Sequence, residues 1–270
     1  MQNNRLDYTN FLFGVNHTCA GTNPDSVADV FDTREMNAVS LPFDCFAAPS
    51  QDFLYRLNKQ NYKKIHCGSL MEPGLSSQIT SAAECFRDSF CTQASRNIDM
   101  LAQYGVSAAV LNLDMRTVLD SPEHIENAEI IIRKLIPALT RKKMFLLIPY
   151  RIPFGTQMNA PAARMACFLR NTMSPFVKLS VELHFDEFSP DTPPDDLFGM
   201  LGMELKELVF LYNADNGYRM IASILRYWIH YLAQFRFDGP FFIAPQSERC
   251  RFLLPEFDAF TKIVSTLYNE

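Results

Sequence analysis

The residues best placed for chemistry lie in one stretch, Val177 to Asp186. It alternates Val177, Leu179, Val181, Leu183 and Phe185 against Lys178, Ser180, Glu182, His184 and Asp186. In an extended strand successive side chains point to opposite faces, so each set shares a face. The apolar set belongs against a covering layer. That turns Ser180, Glu182 and His184 toward whatever the sheet encloses. A carboxylate in a confined, partly dry space holds its proton more tightly than in water, which suits a general base. A buried Glu held by an Arg or Lys for structural reasons leaves the same pattern, and both readings stand at this stage. Buried carboxylates are costly and gather at sites, which favours the functional one.

A second stretch, Ala108 to Asp114, reads the same way, with Val110, Asn112 and Asp114 on one face. Asn112 could bind a hydroxyl or satisfy its neighbours. Arg151 offers a planar guanidinium for a carboxylate or phosphate, or simply faces water at a rim. His17 and His66 close two further apolar runs. Tyr212 and Asn213 close another, where they could contact a sugar or serve as loop residues.

The elements that would hold these groups alternate along the chain. Short apolar runs are followed by longer amphipathic ones, the pattern of a parallel sheet covered by helices. The strands read as Phe11–Val15, Ala38–Phe43, Lys64–Gly68, Ala108–Asp114, Met144–Ile148, Val177–His184, Glu207–Tyr212 and Phe241–Ala244. Between them, helices read from Asn23, over Gln51–Gln60, Ser77–Tyr104, Ser121–Thr140 and Pro161–Asn171, from Pro193, over Tyr218–Phe235, and last over Leu254–Leu267. Ser121-Pro122 is a cap followed by a first-turn proline, and Gly105 supplies the left-handed residue that ends a helix. Eight strands alternating with eight helices predict an α/β fold, one (β/α)₈ TIM barrel spanning residues 1–270. An open doubly wound sheet is the rival. It would need a glycine-rich phosphate loop after an early strand, and none is present.

Composition narrows the partners. The chain has 270 residues, 48% hydrophobic, with 23 Phe against 10 Gly, enough to fill a core as one domain. The net charge of −5 gives no basic face for nucleic acid. The one dense basic run, Arg141-Lys142-Lys143, sits where a helix ends and complements its dipole. Seven Cys without CxxC spacing point to reduced thiols, with neither a disulfide framework nor structural zinc. No signal peptide or membrane span is read, so a cytoplasmic location is expected by default. Helix faces rich in Phe and Met fit a homo-oligomer as well as a core.

In barrels of this class, active sites gather at the carboxyl ends of the strands. Three passages carry a family likeness: Asp25–Val30 leading into Asn37–Leu41, Asn97–Val110, and Leu232–Pro245. In order and texture they resemble the xylose-isomerase-like superfamily of sugar phosphate isomerases and epimerases, over nearly the whole chain from Leu12 to Leu267. The resemblance implies a carbohydrate-type small molecule at the mouth of the barrel. It also implies a divalent metal held by residues ending the fifth to eighth strands. The fifth should end in Glu, where Pro149 and Tyr150 stand. The sixth should offer Asp and a nearby His, where Glu182 and His184 stand. The seventh should offer His, where Tyr212 and Asn213 stand. The eighth should end in Glu, where Ala244, Pro245 and Gln246 stand, with Glu248 only in the loop beyond. Glu182, His184 and Asp186 are the donors left for a metal. Alone they make a poor site, so no cofactor is assigned.

Three functions follow as expectations. The first is a sugar isomerase or epimerase with Glu182 as base, His184 or His66 polarising the carbonyl oxygen, and Arg151 anchoring an anionic substituent. The second is a non-catalytic carbohydrate-binding or regulatory barrel with a decayed metal site. The third is a glycoside hydrolase with Glu182 and Asp114 as paired carboxylates. Whether the protein is an enzyme stays open at this stage.

Overall fold

The computed structural model describes residues 12–16, 36–151, 159–184, 201–212 and 237–245, together with positions 226, 228, 232 and 262. Eight parallel strands close into a barrel in sequence order: β1 (Leu12–Asn16), β2 (Ala38–Leu41), β3 (Lys64–Cys67), β4 (Val106–Val110), β5 (Phe145–Arg151), β6 (Val177–His184), β7 (Leu205–Tyr212) and β8 (Pro240–Pro245). β1 pairs with β8 through Leu12 opposite Pro240 and Gly14 opposite Phe242, so no strand edge is exposed. Expected helices from Asn23 and Pro193, and most of those over Tyr218–Phe235 and Leu254–Leu267, lie outside the described residues.

The helices between the strands are α1 (Asp44–Ala47), α2 (Gln51–Gln60), α3 (Pro73–Gln78), α4 (Glu84–Gln103), α5 (Met115–Asp120), α6 (Pro122–Lys142) and α7 (Asn159–Thr172). Their ends follow the local code. Ser50 and Ser121 accept hydrogen bonds from the backbone N–H of Phe53 and His124, capping α2 and α6. Gly105, at φ +74°, turns the chain out of α4. Arg141 and Lys142 lie in the last turn of α6, and Lys143 takes the left-handed cap position. Ser121→Ala is expected to lower stability by about 1 kcal/mol in urea denaturation, with the slope unchanged. A loss below a few tenths would mean that α6 is held by packing alone.

The structure corrects two element boundaries. The helix expected over Ser77–Tyr104 is interrupted. α3 passes into a 3₁₀ turn at Ile79–Ser81, and the backbone is extended at Ala82 and Ala83 before α4 begins. Ser76, Ser77 and Ser81 donate their hydroxyls to the carbonyls of Glu72, Gly74 and Gln78, competing with helical bonding. Asn127 of α6 donates to the buried carbonyl of Thr80 at 2.8 Å, fixing the break. The fourth strand, expected to reach Asp114, ends at Val110. Asp114 instead caps α5, accepting from the Arg116 N–H at 3.2 Å and the Thr117 hydroxyl at 2.7 Å. Asn112 and Asp114 therefore stand on the strand–helix connection, not on the strand face they were expected to share with Val110.

Two apolar layers follow from the period-two pattern. Val177, Leu179, Val181 and Leu183 face the helices within the main core, as the alternation of β6 requires. Phe210 packs there between Trp228, ring centroids 5.8 Å apart, and Phe241, 5.2 Å apart. A smaller cluster of Leu12, Ala38, Val209, Phe242 and Ala244 gathers inward-facing side chains, as does a second of Ala108, Val110 and Leu147. Each large apolar side chain buried this way contributes roughly 1.5–3 kcal/mol. These clusters fill part of the lumen and confine the polar groups to the remainder.

Candidate functional site

Strand register decides which polar side chains meet. Arg151 pairs with Glu182, Glu182 with Val209, and Ser180 with Glu207. Asn16 pairs with Ser40, and Ser40 with His66. The inward face therefore carries Asn16, Ser40, His66, Ser180, Glu182 and Glu207. Within it, Glu207 is fully buried. One carboxylate oxygen accepts from the Ser180 hydroxyl at 2.6 Å, and the other lies 2.5 Å from His66 Nδ1. The His66 ring, 2% exposed, meets Phe242 edge-on at 5.5 Å.

Above this network opens a cavity of about 910 Å³ at the carboxyl ends of the strands. Its floor and one wall are Ser180, Glu182, Glu207 and Val209. The opposite wall is Gly68, Ser69, Val110, Asn112 and Asp114, with Asn16, Asp44 and Glu72 at the margin. Asn112 is held there by its side-chain amide, which donates to the Ser69 hydroxyl at 3.0 Å and the Gly68 carbonyl at 3.4 Å. Glu182 is partly buried and has no hydrogen-bond partner among the described residues. Burial pushes its carboxyl above the ordinary range, and the Glu207 charge pushes it further. The Arg151 guanidinium pulls it partly back.

The residues named from sequence are distributed unevenly. Glu182, Asn112 and Asp114 border the cavity, although Asp114 is exposed and committed to its helix cap. His66 is not among the residues that line the cavity; its Nδ1 lies against Glu207. Arg151 ends β5 as an exposed residue beside Glu182. The backbones of His184 and Tyr212 pair with Leu211 and Pro245; their side chains, and all of His17, Asp186 and Asn213, lie outside the described residues. Glu207 was not anticipated, although its signal was present. Glu207, Val209 and Leu211 alternate with Leu208, Phe210 and Tyr212, so the argument used for β6 places it inside.

Among the described residues, the donor set does not fit the divalent metal that the resemblance implies. At the mouth, the inward positions of β7 and β8 are Val209, Leu211, Phe242 and Ala244, none of which carries a donor atom. β5 offers Pro149 and Arg151 there. Both oxygens of Glu207 are already engaged, one by the Ser180 hydroxyl and one by His66 Nδ1. Among the described residues no group of three His, Cys, Asp or Glu side chains is arranged to hold an ion, and a hard cation wants several converging oxygens.

No family model and no curated protein sequence matches this chain. Solved structures do match by shape. A D-psicose 3-epimerase studied with D-fructose aligns over 95% of this chain and 98% of its own, at 11% identity and a TM-score of 0.68. A 3-keto-D-glucoside 4-epimerase from E. coli aligns over 96% and 100%, at 11% identity and a TM-score of 0.64. A xylose isomerase domain protein from Planctomyces limnophilus aligns over 96% and 98%, at 10% identity and a TM-score of 0.62. Identities this low carry the fold and no further. The chain thus has the (β/α)₈ barrel of the xylose-isomerase-like and sugar-epimerase structures.

Proposed function

We propose that this barrel binds a small carbohydrate-type ligand in the cavity at the carboxyl ends of its strands, and that Glu182 moves a proton beside the ligand's carbonyl. The observation that carries this reading is the Glu182 carboxyl: partly buried on the cavity wall, without a hydrogen-bond partner among the described residues, and with its proton affinity raised by burial. Such a group takes up a proton closer to neutral pH than a solvated carboxylate does. The C–H bond next to the carbonyl breaks, its electron pair forms the carbon–carbon double bond, and the carbonyl π pair moves to oxygen. Return of the proton to the other face gives an epimer; return to the former carbonyl carbon, with the hydroxyl proton passing from the neighbouring oxygen to the former carbonyl oxygen, gives an isomer.

Asn112, whose amide N–H groups go to Ser69 and Gly68, has its Oδ1 left to accept from ligand hydroxyls on the facing wall. Arg151 stands at the rim for an anionic substituent, and His184 ends the strand that carries Glu182. The glycoside hydrolase reading is disfavoured because Asp114 is engaged as a helix cap. The non-catalytic reading draws support from the apolar inward positions Val209, Leu211, Phe242 and Ala244 of β7 and β8.

A panel of neutral and phosphorylated aldoses and ketoses separates the two remaining readings. A ligand at 100 times its dissociation constant stabilises the fold by about 2.7 kcal/mol, seen as a raised melting temperature. NMR in D₂O then follows deuterium entering the carbon beside the carbonyl. Stabilisation with exchange supports the enzyme; stabilisation without exchange supports a binding barrel. No response to any sugar removes both.

A further inference from the structure

We propose that Asn112 is a specificity-determining residue. Its amide is held so that it offers the ligand an acceptor only, and the wall around it selects a sugar with a free hydroxyl there over a deoxygenated or phosphorylated one. The inference rests on the reading of the cavity as a carbohydrate site, and names the ligand class within it.

The orientation of the Asn112 amide follows from its partners. The Ser69 hydroxyl donates its one proton to the Met71 carbonyl, so toward Asn112 its oxygen can only accept. The Gly68 carbonyl can only accept as well. The atom of Asn112 that meets them, at 3.0 Å and 3.4 Å, must therefore be the nitrogen. A flipped amide would set its oxygen against two acceptors and lose both bonds. With both amide protons committed, Oδ1 is what remains, and it has no hydrogen-bond partner among the described residues. The backbone is fixed too. Leu111 and Leu113, on either side, are buried in the core, and the Leu111 N–H donates to the Leu147 carbonyl at 2.9 Å. Asn112, half-buried on the cavity wall, thus presents its acceptor from a rigid place.

The rest of the described lining repeats the pattern. The Ser77 and Ser180 hydroxyls donate to the Gly74 carbonyl and the Glu207 carboxyl. Asn16 at the margin is itself engaged within the protein. No Lys, Arg or His lines the cavity among the described residues. Phosphate is held by cations and by converging N–H donors, and a wall whose side-chain donors turn into the protein supplies neither. A hydroxyl donates as well as accepts, so it can meet Asn112 Oδ1 directly. Arg151 stands at the rim, outside this lining.

The test follows binding by thermal shift and titration calorimetry. The probes are free hexoses and pentoses, their monophosphates and, for each sugar that binds, its singly deoxygenated analogues. A free sugar is expected to bind at least about tenfold more tightly than its monophosphate. Removing one particular hydroxyl should weaken binding about tenfold, the effect of one hydrogen bond. In Asn112→Leu that penalty should disappear while those at other positions stay, which only direct contact produces. A merely structural Asn112 would weaken every analogue alike and leave each penalty in place. A penalty unchanged in Asn112→Leu overturns the proposal, as does a monophosphate that binds as tightly as its free sugar. If Asn112→Leu does not fold, Ser69→Ala, which frees the amide to turn, should shrink the same penalty, and an unchanged one overturns the proposal. Either overturning result leaves sugar binding, and with it the proposed function, in place. No binding by any sugar removes both.

Discussion

Glu182→Gln is expected to slow deuterium exchange into a responding sugar by about 10²–10⁴-fold, the span that a positioned general base contributes. Glutamine keeps the shape of the side chain and removes its capacity to accept a proton. Ligand binding, read by thermal shift, should change far less than exchange, because the loss falls on the chemical step. Stability should move the opposite way. The folded carboxyl has its proton affinity raised above the ordinary value of 4.5. A raised acid favours folding fully only below its unfolded pKa, and that contribution is lost as pH rises through the folded value. At neutral pH the ionised Glu182 therefore weighs against folding, and Glu182→Gln should be the more stable protein. The difference should vanish as the pH falls below about 4.3, where the unfolded carboxyl is also protonated. Equal stability at pH 7 and pH 4, with exchange undiminished, would show that Glu182 is an ordinary wall residue.

The second large effect belongs to the His66–Glu207 contact. His66→Ala is expected to cost on the order of 2–5 kcal/mol, from the cavity it opens and the hydrogen-bond partner it takes from a buried carboxyl. His66 is 2% exposed and Glu207 fully buried, so water cannot readily replace the lost donor. The double variant His66→Ala with Glu207→Gln should recover part of that loss, since the carboxyl left without its partner is gone. Urea denaturation of the two single variants and the double gives the coupling directly. A single-variant cost under about 1 kcal/mol would place the His66–Glu207 contact among ordinary hydrogen bonds.

The pairing of these two carboxylates explains why the site was only half legible. Glu182 stood out because it lies near the end of a long, cleanly alternating strand, where local sequence already assigns a face. Glu207 lies on the strand before Val209 and Leu211, and reads as a polar strand start when attention is on the strand ends. Only the register of β6 against β7, Ser180 opposite Glu207, brings it beneath Glu182. His66 shows the converse. Its place at the end of β3 was readable, but its side chain turned out to be occupied by a carboxylate 141 residues away.

Asn112 and Asp114 were misplaced for a local reason. A strand pattern and a helix cap compete for the same residues, and the side chain of Asp114 satisfies two donors of α5 where the strand would have left them open. The interruption between α3 and α4 was invisible for a different reason. Part of what fixes it is a bond from Asn127 of α6, 47 residues away from Thr80.

The sequence by itself determined the class of fold. Alternating short apolar runs and amphipathic helices, with serine caps and a left-handed glycine, specify parallel strands covered by helices, because these signals act within a few residues of one another. It also determined that Glu182 shares a face with Ser180. What only the tertiary structure decided is which inward residues meet. Closure of the barrel sets the register between strands far apart in the chain, and that register gives Glu207 to Ser180 and His66, gathers Val209, Phe242 and Ala244 into one inward cluster, and leaves the cavity open beside Glu182.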